Sequence, residues 1–250
     1  MKIHSCTALL LISAVLSGCE KDLVPSSREA QPSWTSVHGP LVNTRWSQEG
    51  PYSALTPNHQ ALGCWSVAFA QVVAFHRLTP GGTVHYTTRS GTEIYESLSP
   101  PVQWEKVVPE ILPGTSPESA RETARFCYYL ALIVQKDFGR EEYVNIARVP
   151  EEIAEHCGCG VRKVESGFND QVAAELRANR PVVAYFNDIL DINIVRNGHA
   201  AVIDGSAEND GQLLVHLNLG WGGASDGWYD FVTLSRERDL RALYLLTPHP

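Results

Sequence analysis

The sequence predicts an α+β fold in which a helical lobe packs against a mainly antiparallel β lobe. Residues 63–77 carry only four polar side chains among fifteen, so a helix there would be buried on nearly every side. After Pro181 the chain changes to short β-prone runs separated by Gly, Asn and Asp. No helix-length pattern separates the later runs, which favours antiparallel pairing.

Composition limits the class of protein. The 250 residues are 44% hydrophobic and 19% charged, as expected for a folded globular chain. Twenty basic and 28 acidic residues give a net charge of −8 without a Lys/Arg block, which argues against nucleic-acid binding. Six cysteines are too few for a disulfide scaffold, and no apolar run reaches the roughly 20 residues of a membrane span.

The N-terminus has the pattern of a secretory signal. Lys2 precedes a short apolar stretch at 8–16, and Leu-Ser-Gly-Cys at 16–19 closes it. This tetrapeptide resembles the lipobox of bacterial lipoproteins, in which the cysteine receives a diacylglycerol. The resemblance implies a signal peptide at 1–18, lipidation at Cys19 and anchoring to the bacterial cell envelope by acyl chains. An ordinary signal peptide with a chance cysteine is the alternative.

The remaining chain divides into a tether and one folded domain. Residues 19–40 are rich in Ser, Pro and Glu and predict a tether, so the domain is expected over 41–250. A second helix is predicted over 116–137, with Thr115 and Glu118 as a capping box. Shorter helices are predicted at 150–158 and 169–179, and strands at 182–186, 199–204, 213–217, 228–232 and 242–246.

Cys64 is the candidate nucleophile. It lies in the first turn of the predicted buried helix, where the helix field and a neighbouring imidazolium can lower a thiol pKa from about 8.5 to roughly 3.5–7.5. A thiolate at neutral pH is what covalent catalysis by cysteine requires. A buried structural cysteine is the alternative, although such a residue more usually lies in mid-helix, as Cys127 does.

His199 is the candidate base. It follows Asn197 and Gly198 and opens a predicted strand, and the glycine would leave room for substrate beside the imidazole. A strand-end histidine with ordinary hydrogen bonds is the alternative. Three other histidines are weaker candidates: His59 in a Pro/Asn loop, His76 at the far end of the buried helix, and His216 in mid-strand.

Several segments, in one order, resemble the streptopain-like (C10) family of cysteine peptidases. Residues 46–52 (WSQEGPY) and 63–71 (GCWSVAFAQ) are similar to the region around the family's nucleophile. Residues 197–205 (NGHAAVIDG) resemble its histidine segment, and 216–223 (HLNLGWGG) the glycine/tryptophan segment that follows. The resemblance covers about residues 41–246 and implies a papain-like fold of two lobes.

The resemblance also implies roles for particular residues. Cys64 would be the nucleophile and His199 the general base and acid, and Gln48 would form the oxyanion hole with the backbone N–H of Cys64. Trp221, Asn218 and Gly198 would lie in the substrate cleft, the substrate being a protein or peptide, and no cofactor or metal is implied. Without the family context, Gln48 would be an ordinary surface glutamine.

Two departures from the family affect these expectations. The family usually has Trp after the asparagine, packed on the catalytic imidazole, where this chain has Leu219. Asn218 could orient the imidazole instead, but strand alternation points Asn218 and Leu219 to opposite faces. The segment between Cys19 and Leu41 is too short for the family's inhibitory propeptide, so control by a separate proteinaceous inhibitor or by export itself is expected.

Other patterns predict no further chemistry. His156, Cys157 and Cys159 are metal-binding residue types, but no second ligand pair at suitable spacing accompanies them, and no metal site is expected. The glycine-rich segment 220–227 opens no helix, so we interpret it as a cleft edge rather than a phosphate loop.

The sequence leaves three functions open. The favoured one is a lipid-anchored cysteine endopeptidase acting outside the cytoplasm. A cell-wall amidase or peptidase could use the same Cys–His pair. A surface binding module on a decayed peptidase fold is the third, suggested by Leu219 and the short N-terminal segment.

Overall fold

The computed structural model describes residue 34 and residues 36–138, 144–187, 198–209 and 211–249. Their helices are α1 (Cys64–Phe75), α2 (Pro117–Ile133), α3 (Val149–Cys157), α4 (Phe168–Arg177) and α5 (Phe231–Glu237). Their strands are β1 (Ser36–His38), β2 (Thr83–Thr87), β3 (Glu93–Ser97), β4 (Cys159–Val164), β5 (Val182–Phe186), β6 (His199–Asn209), β7 (Gln212–Asn218), β8 (Gly227–Asp230) and β9 (Leu240–Pro248).

One antiparallel sheet forms the β lobe and confirms the predicted α+β class. Its strand order is β4-β9-β5-β6-β7-β8, with β1 also paired to β6, while β2 and β3 form a separate hairpin. The β6–β7 register places Val202 opposite Asn218. Because antiparallel partners run in opposite directions, the residues just after Asn218 lie beside the start of β6, where His199 is.

The large sheet is buried on both faces. Val183, Ala200 and Val202 belong to one core cluster, which they share with α1 and α2. Their neighbours along the strands, such as Ala201 and Ile203, belong to a second cluster with α4 and α5. Alternate residues of a strand point to opposite faces, so β5 and residues 200–203 of β6 are apolar without alternation.

Helix α1 confirms the predicted buried helix. Its residues from Trp65 to Val73 are all buried. The buried Ser66 hydroxyl finds a hydrogen-bond acceptor in the Leu62 carbonyl, at 2.7 Å. An apolar helix of this kind is stable only inside a protein, and here it lies between α2 and strand β6.

Helix α2 begins and ends differently from the prediction. Ser116, not Thr115, is the N-cap, because its hydroxyl accepts the Ser119 N–H at 3.1 Å. The helix ends at Ile133 rather than 137, since Gln135 takes a left-handed conformation (φ 56°) and the Lys136 N–H turns back to the Ala131 carbonyl at 2.9 Å. This C-terminal turn directs Lys136 inward, where it is buried.

Several elements were not predicted. Strand β8 gives way at Phe231 to α5, whose N-cap Asp230 accepts the Thr233 N–H at 2.7 Å, so the predicted strand to residue 232 was wrong in its last residues. Strand β1 pairs with β6 inside the range predicted as tether. Strands β2, β3 and β4 are also new. Among the described residues, no helix is both long and apolar enough to cross a bilayer.

Candidate active site

Cys64 is the first residue of α1, as predicted, and its side chain is half-buried. Gly63 precedes it with φ 84° and ψ 154°, a conformation that strains any residue with a Cβ. One residue earlier, the Leu62 N–H donates to the Gln48 carbonyl at 2.8 Å. The turn that introduces the cysteine is therefore fixed by a glycine and by the segment that carries Gln48.

The surroundings of the Cys64 sulfur pull its pKa in two directions. Packing removes water from the sulfur and raises the pKa. Hydrogen bonding from the backbone N–H of Ala200, and then from those of Trp65 and Cys64 itself, lowers it, as does the positive charge of Lys136. Ala200 is the residue after His199, so the sulfur lies against the start of β6.

The imidazole of His199 is held by a backbone carbonyl. Its side chain is 4% exposed, and its Nε2 lies 3.0 Å from the oxygen of Leu219. A carbonyl can only accept, so Nε2 carries the proton and Nδ1 is the basic nitrogen of the neutral ring. Burial lowers the pKa of His199 to about 4, against which the bond to Leu219 acts weakly.

Trp221 supplies the aromatic contact that Leu219 cannot. Its ring centroid lies 4.9 Å from that of His199 at an interplanar angle of 47°. Residues 46–48 hold it there, because Ser47 forms a β-bridge with Trp221 and the Gly222 N–H donates to the Trp46 carbonyl at 3.1 Å. Trp221 was predicted to contact substrate; in this structure it packs on the imidazole.

Leu219 contributes its backbone rather than its side chain to the site. The side chain is 1% exposed in the core between the sheet, α4 and α5. Its N–H donates to Asp226 Oδ1 at 2.8 Å, while its carbonyl accepts from His199. Burial raises the pKa of Asp226, and the Leu219 N–H, His216 and Arg45 oppose that rise. Asp226 therefore fixes the peptide that orients the imidazole.

The backbone of Gln48 lies near the start of α1, and the predicted role of its side chain rests on the resemblance. Its side chain is half-buried, and its carbonyl accepts from Leu62, two residues before Cys64. Residues 46–48 thus connect the helix start to Trp221. This arrangement brings together the three segments that carry Gln48, Cys64 and His199.

Asn218 and Gly198 serve the scaffold in ways the sequence did not predict. Asn218 is 3% exposed, and its amide donates to the Thr44 carbonyl at 2.7 Å and accepts the Gly220 N–H at 3.0 Å. With its amide bonded on both sides to backbone groups, this geometry does not support the predicted contact with substrate. The space beside Gly198 is filled by Tyr185, since a Cβ there would lie 2.6 Å from the Tyr185 ring. Asn197 and Cys19 lie outside the described residues.

The other histidines have their own surroundings. His216 Nδ1 lies 2.7 Å from Asp204 Oδ1, a carboxylate with no exposed surface. His59 is exposed in a short turn, and His76 follows the last residue of α1, at the opposite end from Cys64. His156 Nδ1 contacts the Gly81 carbonyl at 2.9 Å. Within the described part of the chain, no group of three or more His, Cys, Asp or Glu could hold a metal ion.

Three residues near the site were missed from the sequence. Lys136 falls in the last turn of the predicted second helix, where a lysine is normally solvated. Tyr185 occupies a predicted strand like any other aromatic residue. Asp226 belongs to Ser-Asp-Gly at 225–227, which follows the glycine/tryptophan segment. Its closeness to that segment was the sign in the sequence that Asp226 could belong to the site.

The comparisons with known proteins fit this geometry. A family model described as "Peptidase C10 family" matches residues 46–229. The chain belongs to the peptidase C10 family. This match contains Gln48, Cys64, His199 and Trp221 and confirms the predicted family and the assignment to cysteine-type peptidases.

Two C10 relatives are distant in sequence. The chain is 27% identical over 217 residues to streptopain of Streptococcus pyogenes serotype M1, which covers 74% of this chain and 52% of streptopain. It is 28% identical over 244 residues to the thiol protease/hemagglutinin PrtT of Porphyromonas gingivalis, covering 86% of this chain and 27% of that protein. The chain therefore spans about half the length of streptopain and less of PrtT.

Solved structures confirm the papain-like C10 fold. Active wild-type interpain A cysteine protease of Prevotella intermedia superposes with a TM-score of 0.68 at 22% identity, covering 85% of this chain and 95% of that one. A fragment of prointerpain A from the same organism gives a TM-score of 0.69 at 18% identity, covering 87% and 74%.

The low pKa of His199 predicts a pH-dependent stability. In the unfolded chain a histidine has a pKa of about 6.5, against about 4 in the folded protein, so as pH falls the unfolded state takes up the proton first. The stabilisation is complete above pH about 6.5 and is lost as pH falls through about 4, amounting to roughly 3 kcal/mol.

Urea unfolding of Cys64→Ala at pH 7 and pH 4 measures this loss without a thiolate to hold the imidazolium. The matched protein is Cys64→Ala with His199→Gln, for which we expect a smaller loss. An equal loss in both proteins would contradict a neutral, buried His199.

Gly198→Ala tests the close approach of Tyr185. Its methyl group would overlap the Tyr185 hydroxyl and ring, so we expect the free energy of unfolding to fall by about 1–3 kcal/mol. Gly81→Ala is the control, because a Cβ at Gly81 meets nothing within 4 Å. A Gly198→Ala protein as stable as the control would show that Tyr185 does not fill this space.

Asp226→Ala tests the support of the imidazole. Loss of the acceptor leaves the Leu219 N–H unpaired and costs about 1–3 kcal/mol of stability. We expect Asp226→Asn, whose amide oxygen can still accept, to retain most of it in urea unfolding. Equal destabilisation of the two variants would indicate that the charge, not the hydrogen bond, is what matters.

Proposed function

We propose that this chain is a cysteine endopeptidase in which Cys64 is the nucleophile and His199 the general base and acid. The observation that carries the proposal is the position of the Cys64 sulfur beside the Ala200 N–H, one residue from a histidine whose Nε2 is engaged by Leu219. The C10 family membership supports the same pair.

Acylation begins with transfer of the thiol proton. Nδ1 of His199 accepts it as the sulfur attacks the scissile carbonyl carbon, forming a C–S bond and a tetrahedral oxyanion. The carbonyl of Leu219 holds the Nε2–H throughout, so the imidazolium is stabilised on one side as it forms. Nδ1 then donates its proton to the leaving amine, the C–N bond breaks, and a thioester remains.

The oxyanion is stabilised by the backbone N–H of Cys64 and by the side chain of Gln48. A helix N-terminus leaves its first N–H groups without intrahelical acceptors, so the N–H of Cys64, which contacts its own sulfur, has no helix carbonyl to bond and would turn to the substrate oxygen. Gln48 reaches this region because its own backbone is bonded to Leu62. Water activated by His199 then hydrolyses the thioester.

The location of the enzyme is part of the proposal. The lipobox-like segment supports lipidation at Cys19 and anchoring to the bacterial cell envelope outside the cytoplasm. Mass spectrometry of the N-terminus from cells would detect a diacylated Cys19, and an unmodified N-terminus, or one that begins elsewhere, would overturn the anchor.

Substitution of Cys64 is the direct test. We expect Cys64→Ala and His199→Ala to abolish hydrolysis of casein, because each removes a group that forms or transfers a bond. His59→Ala, an exposed histidine, is the control and should keep full activity. Full activity in Cys64→Ala would exclude the mechanism. Cleavage of muropeptides but not casein by the unmodified protein would favour the cell-wall enzyme. If the unmodified protein cleaves neither substrate, it is a binding module.

Gln48→Ala separates oxyanion stabilisation from binding. Loss of one donor typically lowers the rate about 10²–10³-fold, and we expect kcat to fall by that factor while KM changes little. Steady-state kinetics on a peptide substrate measure both. A larger KM at unchanged kcat would instead place Gln48 in substrate binding.

A further inference from the structure

Lys136 is a buried lysine that the proposed mechanism does not use. It is 2% exposed, just after the left-handed turn that ends α2. A Cβ built on Gly63 would lie 3.6 Å from both its Cε and its Nζ. Its ammonium group therefore lies beside the residue that precedes Cys64, at the base of the helix start.

The backbone fixes Lys136 in this position. Its N–H donates to the Ala131 carbonyl at 2.9 Å, and its carbonyl accepts from the Tyr86 hydroxyl at 2.9 Å. Its Nζ also lies 6.0 Å from the centre of the Phe138 ring. The two hydrogen bonds tie the backbone of residue 136 to the α2 terminus and to strand β2.

We propose that Lys136 is a positioning residue of the peptidase site, whose ammonium group stabilises the thiolate of Cys64 during catalysis. It touches no substrate and acts through the sulfur. The proposal rests on Cys64 being the nucleophile.

Lys136 can supply a positive charge that His199 supplies only when it is protonated. A thiolate–imidazolium pair gains its stability from the two opposite charges, but the surroundings of His199 disfavour the imidazolium and lower the pKa of that group to about 4. The positive charge of Lys136 does not come from the Cys64 thiol. It therefore favours the thiolate whether or not His199 is protonated.

The other ionisable groups around the two residues do not supply the same field. Around Cys64, among the described residues, are Lys136 and Tyr185, and His199 adjoins the Ala200 whose N–H contacts the sulfur. In the described part of the chain, Tyr86 donates to the carbonyl of Lys136, and Asp137 follows it, with a carboxylate that accepts from the Ser90 N–H and hydroxyl at 2.9 Å. Burial raises the pKa of Tyr185 and of Tyr86, so both phenols stay neutral where Cys64 works.

Alkylation of Cys64 by iodoacetamide tests the proposal without reference to peptide hydrolysis. The rate at Cys64 is followed against pH in the full chain by peptide-resolved mass spectrometry, for the unmodified protein and Lys136→Met. In Lys136→Met we expect the midpoint of the pH–rate profile to rise by about one pH unit and the alkylation rate at pH 7 to fall about tenfold. At a pH above both midpoints the two rates should converge.

The controls separate charge from structure. Lys163→Met removes an exposed lysine paired with Glu165 and should leave the profile unchanged. Lys136→Gln, which is neutral but polar, should behave as Lys136→Met does. An unmoved midpoint in these variants, or an equal slowing at every pH, would overturn the proposal, because the latter is the signature of a structural role alone.

A second measurement keeps Lys136 in place. In His199→Ala no imidazolium can form at this position. Any positive charge that still acts on the Cys64 sulfur must then come from a group other than His199, which the proposal identifies as Lys136. We expect the ratio of iodoacetate to iodoacetamide rates at Cys64 to exceed that of free cysteine several-fold, since the first reagent is an anion. A ratio equal to that of free cysteine would overturn the proposal. A chain that gives the expected alkylation but cleaves no peptide would contradict only the proposed peptidase function.

Discussion

The hydrogen bond from His199 Nε2 to the Leu219 carbonyl is the interaction on which the site depends. It fixes the tautomer, so that Nδ1 is the nitrogen able to take a proton, and it fixes the ring plane against Trp221. Because the acceptor is a backbone oxygen, the side chain at 219 is not part of it. Leucine can therefore stand where the family usually has tryptophan, provided that the peptide is held in place, which Asp226 does.

The second constraint is the removal of water from both reacting groups. Burial raises the pKa of Cys64 and lowers that of His199, so each environment by itself favours the uncharged form. In the proposed mechanism, the charge separation on proton transfer is offset by the Ala200 N–H, the helix terminus and the Lys136 ammonium, which act on the sulfur, and by the Leu219 carbonyl, which acts on the imidazolium. The sheet and α1 meet at this point, so the fold itself brings these opposing groups together.

Much of the fold followed from local sequence. Local patterns predicted α1 from its apolar run, the ends of α3 and α4 from prolines and glycines, and β5 and the start of β6 from unbroken apolar residues. Each pattern reflects the burial or the backbone geometry of the residues that form it. Strand β1 and helix α5 were missed for the opposite reason. The segment before Leu41 is polar and becomes a strand by pairing with β6, and Asp230 starts a helix where the β-prone residues alone favour a strand.

The sequence by itself determined the family, the identities of Cys64, His199 and Gln48 as candidates, and the helix start that carries the nucleophile, because these are encoded in contiguous motifs. Only the tertiary structure decided how the imidazole is held, that the Asn218 amide bonds to the backbone of Thr44 and Gly220, and that Tyr185 fills the space beside Gly198. It also decided that Lys136, far from Cys64 in the chain, lies beside Gly63, the residue that precedes Cys64. These contacts join residues distant in the sequence, and the distances between such residues are set by packing of the whole sheet against α1 and α2.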